Sequence, residues 1–163
     1  MSFPSISKRA KTILEFVHSD VFGHVSVPSL GKSVYYVSFI DDFSRNTWIY
    51  LLKKKSEFFD RFKEFKALVE TKTQKKIKVL RIDNSGEFCS KEFEELCKKC
   101  GIAWHKTTPY TTQKNAVVER MNKTLMERAR SMLSGAGLGQ EFWVEAVDCM
   151  LLGQHVTFIS VGG

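Results

Sequence analysis

Three β-rich runs follow one another before the first helical pattern begins, and this order constrains the fold more than any other feature of the chain. The runs are Leu14–Phe22, stopped at Gly23, then Val34–Asp42 and Thr47–Leu52, all rich in β-branched and aromatic residues. A turn-like cluster, Asp42-Phe-Ser-Arg-Asn46, separates the last two, so the segment predicts an antiparallel hairpin or three-stranded meander. The period then changes. Ser56 can cap a helix in which Phe58, Phe62, Phe65 and Val69 recur at helical spacing. A short strand over Ile77–Asp83 follows, then a charged helix opened by Ser90 and stopped at Gly101. Ile102–Thr107 reads as another strand and Thr108–Asn115 as a loop. A long helix over about Ala116–Ser134 carries Val118, Met121, Leu125, Ala129 and Met132 on one face, and a last helix covers about Gln140–Leu152. Strands in series followed by alternating helix and strand belong to the α/β class. The expected sheet is mixed, with an antiparallel half, a parallel half and helices on its faces.

At 163 residues the chain has the length of one domain, and its 43% hydrophobic content is enough to close a core around a sheet. Residues 1–12 read as a basic, linker-like lead-in, 13–155 as the core and 156–163 as a tail. Met1–Lys11 lacks the apolar run of a secretory signal, and no apolar stretch is long enough to span a bilayer. The expected location is therefore intracellular, nuclear or cytoplasmic, with no membrane partner. The formal charge of +7 favours a polyanionic partner, nucleic acid or an anionic surface. Cys97 and Cys100 form a lone Cys-x-x-Cys on a helical pattern. No second ligand pair follows at zinc spacing, so core or half-exposed thiols are expected.

The acids carry the chemistry. Asp20 and Asp83 each stand at the end of an apolar strand, where α/β sheets gather their sites, and Glu119 falls in the first turn of the long helix. Three converging carboxylates repel one another unless cations neutralise them, and an oxygen-rich, histidine-poor set suits Mg²⁺ or Mn²⁺. Two such ions, about 3.5–4 Å apart, can activate a nucleophile and stabilise a leaving oxygen in phosphoryl displacement. Each acid also has a plainer explanation. A strand-end aspartate forms turns, and glutamate in a first helical turn is favoured by the helix dipole. Asp41-Asp42 looks more metal-like, but neighbouring strand residues point to opposite faces; Asp42 is expected to cap the turn. Glu87 stands close enough to Asp83 to support it.

Five stretches resemble the retroviral and retrotransposon integrase core, specifically that of the copia-type elements of plants. They are Leu14–Gly23, Phe39-Ile-Asp-Asp-Phe-Ser-Arg45, Val79-Leu-Arg-Ile-Asp-Asn-Ser-Gly-Glu-Phe88, Thr108–Asn122 and Glu141-Phe-Trp-Val-Glu-Ala-Val147. They run in the family's order, and thirty-five residues separate Asp83 from Glu119, the family's spacing. The resemblance implies a ribonuclease H-like fold, a five-stranded mixed sheet flanked by helices. It implies that Asp20, Asp83 and Glu119 hold two Mg²⁺ or Mn²⁺ ions, with no organic cofactor. Water would first cleave near the 3′ end of the element's DNA, and the freed hydroxyl would then attack target DNA. Asn84, Gln113, Asn115 and Lys123 match family positions near DNA, and the family assembles as homo-oligomers.

The chain also departs from the family. Thr112-Gln113 stands where Pro-Gln is usual, Asn115-Ala116 where Asn-Gly is usual, and Ser85 where Gly is usual. Losing Pro loosens the expected loop, and losing Gly removes easy access to positive φ. The family's zinc-binding module before the core and basic region after it are not seen here, and the residues after Cys149 diverge. The expectation is thus a DNA-integration core, probed against two alternatives: a relic that folds and binds DNA or self-associates without turnover, and a ribonuclease acting on hybrids, which would need a fourth acid.

Overall fold

The computed structural model describes residues 10–82, 90–106, 112–151 and 156–159, with side chains at all of these except 106, 112–119, 121, 158 and 159. Its strands are β1 (Phe16–Gly23), β2 (Tyr35–Asp41), β3 (Thr47–Leu52), β4 (Val79–Ile82), β5 (Ala103–Lys106) and β6 (Val156–Ile159). Its helices are α1 (Phe58–Thr73), α2 (Lys91–Cys100), α3 (Thr112–Gly135) and α4 (Trp143–Met150). The strands form one mixed sheet in the order β5-β4-β1-β2-β3-β6. β1, β2 and β3 are the antiparallel meander that the three β-rich runs dictate, while β4 joins β1, and β5 joins β4, in parallel. The expected five strands are present. A sixth, β6, lies parallel to β3 and comes from the segment where the sequence diverges from the family's continuation.

Alternation along the strands sorts side chains onto two faces. One face packs Val17, Val37, Phe39, Tyr50 and Leu52 against Phe58, Phe62, Phe65 and Val69 of α1, with Phe93 and Cys97 of α2. At its centre Phe39 and Phe65 stack with ring centroids 4.3 Å apart and planes 8° from parallel. The other face packs Tyr36, Ile49 and Leu51 against Met126, Ala129 and Leu133 of α3 and Trp143, Val144, Ala146 and Val147 of α4. On α1 these are the positions that helical spacing selects. On α3 only Ala129 of the expected face is fully buried, Leu125 is partly buried and Met132 is exposed, because the buried face turns through Met126 and Leu133 instead. The side chains of Val118 and Met121 lie outside the described residues. α2 begins where Ser90 Oγ accepts from the Phe93 amide at 3.2 Å and ends at Gly101, whose φ of 71° closes the helix in the left-handed region. Cys97 is buried in the core and Cys100 half-buried, as expected of packing thiols; Cys149 is exposed, and Cys89 lies outside the described residues.

One boundary and one turn cap differ from expectation. α3 begins at Thr112, so residues 112–115 are helical. A glycine at 116 would weaken a helix here, and Ala116 avoids that cost; a proline at 112 would fall on the first helical position, where it is tolerated. The Asp41-Asp42 turn is also held the other way round. Asp41, not Asp42, caps it: its Oδ2 accepts from Ser44 N at 2.9 Å and Ser44 Oγ at 2.7 Å, and its Oδ1 accepts from Leu14 N at 2.9 Å. Asp42 turns to the other face, where it meets His18 Nε2 at 3.0 Å and accepts from Ala10 N at 2.8 Å. The two carboxylates serve different partners, as the alternation argument requires. Among the described residues no helix is long and apolar enough to cross a membrane.

Candidate functional site

Asp20 is the fifth residue of β1 rather than its last, yet it does sit at an edge. The parallel pairing of β1 with β4 ends at Ser19 and Ile82, whereas pairing with β2 continues through Asp20 to Gly23. Asp20 thus occupies the first step of β1 beyond its described pairing with β4, held on its other side by Ser38. Continued pairing with β2 makes Asp20 rigid, and the residue is only 4% exposed.

Its carboxylate is met from α3. Asn122 Nδ2 donates to Asp20 Oδ2 at 3.0 Å, and Asn122 is itself buried. Asn122 belongs to the matched Thr108–Asn122 stretch, but nothing in its spacing marks it as a partner of Asp20. Only a strand and a helix separated by most of the chain, once packed, reveal the contact. Tyr36 and Ser38 project from β2 on the same sheet face as Asp20. Their hydroxyls are buried and find no hydrogen-bond partner among the described residues. Burial, and then the negative charge of Asp20, push the Tyr36 phenol well above its ordinary value of 10.0, so it stays protonated and available as a donor.

The remaining predicted residues fall as follows. Glu119 lies on α3, and its backbone stands two turns into the helix instead of in the first turn, because α3 starts at Thr112. The helix dipole therefore no longer accounts for an acid at this position. Glu119 precedes Asn122 by three residues, close to one turn, on the side of α3 that Asn122 directs at the sheet. The Glu119 side chain, like those of Gln113 and Asn115, lies outside the described residues; the latter two belong to the helix and not to a loop. Asp83, Asn84 and Glu87 also lie outside the described residues. Lys123 is exposed on α3, four residues after Glu119.

Among the described residues no three His, Cys, Asp or Glu side chains form a metal centre. The donors around Asp20 nonetheless suit a hard divalent ion. They are a sheet-fixed carboxylate and buried hydroxyl oxygens, with no thiol on the strands around it.

Comparison with known proteins identifies the family and the fold. The family model "Integrase core domain" matches residues 14–112, a span that contains Asp20 and Asp83 and ends before Glu119. The chain is 49% identical over 154 residues to the retrovirus-related Pol polyprotein from transposon TNT 1-94 of Nicotiana tabacum, covering 93% of this chain and 12% of that protein. It is 36% identical over 130 residues to the corresponding polyprotein of transposon RE2 from Arabidopsis thaliana, covering 80% of this chain and 9% of that one. The chain therefore spans a small part of the curated relatives it matches. In fold it is similar to a chain of the simian T-cell lymphotropic virus intasome in complex with PP2A regulatory subunit B56 gamma, with a TM-score of 0.62, 18% identity and 88% of this chain and 49% of that chain covered. It is likewise similar to the HTLV-2 integrase catalytic core domain in complex with magnesium (trimeric form), with a TM-score of 0.58, 20% identity and 88% and 86% coverage. The fold is thus the ribonuclease H-like fold of retroviral integrase cores, and with more than half of its length matched by the family model the chain belongs to the integrase core domain family.

Proposed function

We infer that the chain is the catalytic core of a retrotransposon DNA-integration protein, a divalent-metal-dependent polynucleotidyl transferase built on Asp20, Asp83 and Glu119. The observation that carries this reading is the Asn122–Asp20 hydrogen bond, which fastens the helix bearing Glu119 to the strand bearing Asp20. Asp83 follows Ile82 by one peptide step, about 3.8 Å between Cα atoms, and Ile82 is the register partner of Asp20's neighbour Ser19.

Each residue has a role. Asn122 fixes the rotation of the Asp20 carboxylate, so its oxygens are held before any ligand arrives. The buried faces of β1 and β2 exclude bulk water behind it. Glu119 supplies the third carboxylate, and Lys123, exposed four residues on, reaches toward a phosphate. Two Mg²⁺ or Mn²⁺ ions bound there would polarise the attacking oxygen and neutralise the leaving one. The same site would serve both 3′-end processing and strand transfer, since each is a displacement at a phosphodiester. Assembly as a homo-oligomer on DNA, in the nucleus, belongs to this proposal.

One observation favours a second reading, a chain that folds and binds DNA without turnover. Residues 112–115 are helical, so the segment that would be a loop before Glu119 has been absorbed into α3. A disintegration assay on branched DNA separates the two. The first reading expects cleavage that needs Mg²⁺ or Mn²⁺ and falls at least about a hundredfold in Asp20→Asn, the scale of losing one transition-state electrostatic group. DNA binding with no cleavage in either ion would select the second.

A further inference from the structure

We propose that Lys32, Lys53 and Lys54 form a phosphate-binding rim for double-stranded DNA at the end of the sheet where Asp20 lies. The inference rests on the proposed reading that Asp20 acts on DNA. Gly23, Tyr35 and Leu52 share one register row across β1, β2 and β3, and this row is three residues beyond that of Asp20. Lys53 leaves β3 at this row, and Lys32 stands just before β2 enters it. The two connecting segments are bound together where Val34 N donates to the Leu52 carbonyl at 3.1 Å.

The lysines are presented by a fixed backbone. Glu57 Oε1 accepts from Lys53 N at 3.2 Å and from Lys54 N at 3.3 Å, which anchors the turn into α1. Lys32 N donates to the Ser29 carbonyl at 2.8 Å, closing the β1–β2 connection. All three side chains are exposed. Two other lysines are neutralised locally: exposed Lys63 pairs with Asp60 at 3.4 Å and half-buried Lys66 with Glu70 at 2.7 Å. None of the ion pairs among the described residues uses Lys32, Lys53 or Lys54. Three exposed lysines outside the described ion pairs, on ordered turns, suit a polyanion better than a single small anion.

The separation from Asp20 selects a duplex. Three residues along a strand are about 10 Å and two strand spacings about 10 Å, so the rim stands roughly 14 Å from Asp20. A major groove is about 12 Å wide, so a duplex with one phosphodiester at Asp20 would bring phosphates of the facing strand to the rim. An acidic protein segment has no such fixed spacing of charges.

Fluorescence anisotropy with a short labelled duplex in EDTA, titrated with salt, tests the rim without calling on catalysis. Lys32→Gln/Lys53→Gln/Lys54→Gln is expected to weaken binding about tenfold at 0.1 M salt for each phosphate the rim no longer neutralises, and to flatten the salt slope by about 0.9 for each. The control is Lys72→Gln/Lys75→Gln/Lys76→Gln, three exposed lysines at the opposite end of the sheet with the same change in charge; it should stay within about twofold of wild type, because its lysines lie outside the DNA footprint. Melting curves confirm that both variants fold. Equal weakening by the two variants would reduce the effect to net charge and overturn the rim, as would wild-type affinity in the first variant. An acidic peptide competing as well as the duplex would overturn it in favour of a protein partner. If the rim variant binds normally while wild type still cleaves DNA with metal, the rim alone has failed. If wild type neither binds nor cleaves DNA, the reading beneath it has failed.

Discussion

Asn122 donates its side-chain amide to Asp20 at 3.0 Å across 102 positions of sequence, joining the long helix to the central strand at a buried point. An amide donating to a carboxylate in this setting is worth about 1.5–3 kcal/mol, and removing it leaves a buried acceptor short of a donor. Asn122→Ala is therefore expected to lower the free energy of unfolding by about that amount in urea titrations without metal. Asn122→Asp should be worse in EDTA, since it sets a second carboxylate against Asp20, and should recover part of the loss on adding Mg²⁺. A merely structural amide would show no such recovery.

The aromatic stack in the other face gives a test of the fold that is independent of the site. Phe39 and Phe65 are both fully buried, with centroids 4.3 Å apart. Phe65→Ala should cost about 3–5 kcal/mol, enough to unfold many domains of this size, and Phe65→Leu distinctly less. Denaturant midpoints with an unchanged slope would confirm that the loss is of packing.

How much of the fold and site is legible in the sequence depends on range. Ser90 opens α2, and the Phe58–Val69 spacing marks the buried side of α1, because capping and periodicity are local. The meander follows from three β-rich runs with turn residues between them. The motif finds Asp20 but not its place. In sequence it resembles a strand end, whereas β1 runs on along β2 beyond its described pairing with β4. Register between distant strands decides that. The start of α3 is hidden because Thr108-Pro109 reads as loop, while Thr112 and Ala116 permit a helix once packing supplies its energy. Asn122 is invisible as a partner for the same reason that β6 is invisible as a strand. Each depends on an element far away in sequence.

The cap at Ser90 offers a small, local check. Its Oγ accepts from Phe93 N at 3.2 Å and nothing else among the described residues replaces it. Ser90→Ala should cost about 1 kcal/mol, with Ser90→Asp near neutral, as read by thermal melting.

Alkaline stability reports on the two buried phenols. Tyr36 is held well above its ordinary value of 10.0 by burial and then by Asp20, and Tyr50 is pushed up to about 12, chiefly by burial. Their folded values exceed the unfolded ones, so both contribute fully below pH 10 and lose stability as the pH rises beyond it, when only the unfolded chain ionises. Wild type should therefore unfold more easily between about pH 10 and pH 12, and Tyr36→Phe should reduce that loss. At pH 7 the same variant should be close to neutral, since the hydroxyl has no partner to lose among the described residues. Unfolding followed by circular dichroism across pH would show both effects.

The most direct measurement is a crystal structure of the chain soaked in Mn²⁺ with anomalous data collected. The account predicts manganese at Asp20, with the carboxylates of Asp83 and Glu119 turned to the same ions at about 2.0–2.3 Å, and Asn122 still bonded to Asp20. Manganese bound elsewhere, or a Glu119 carboxylate directed away from Asp20, would contradict it.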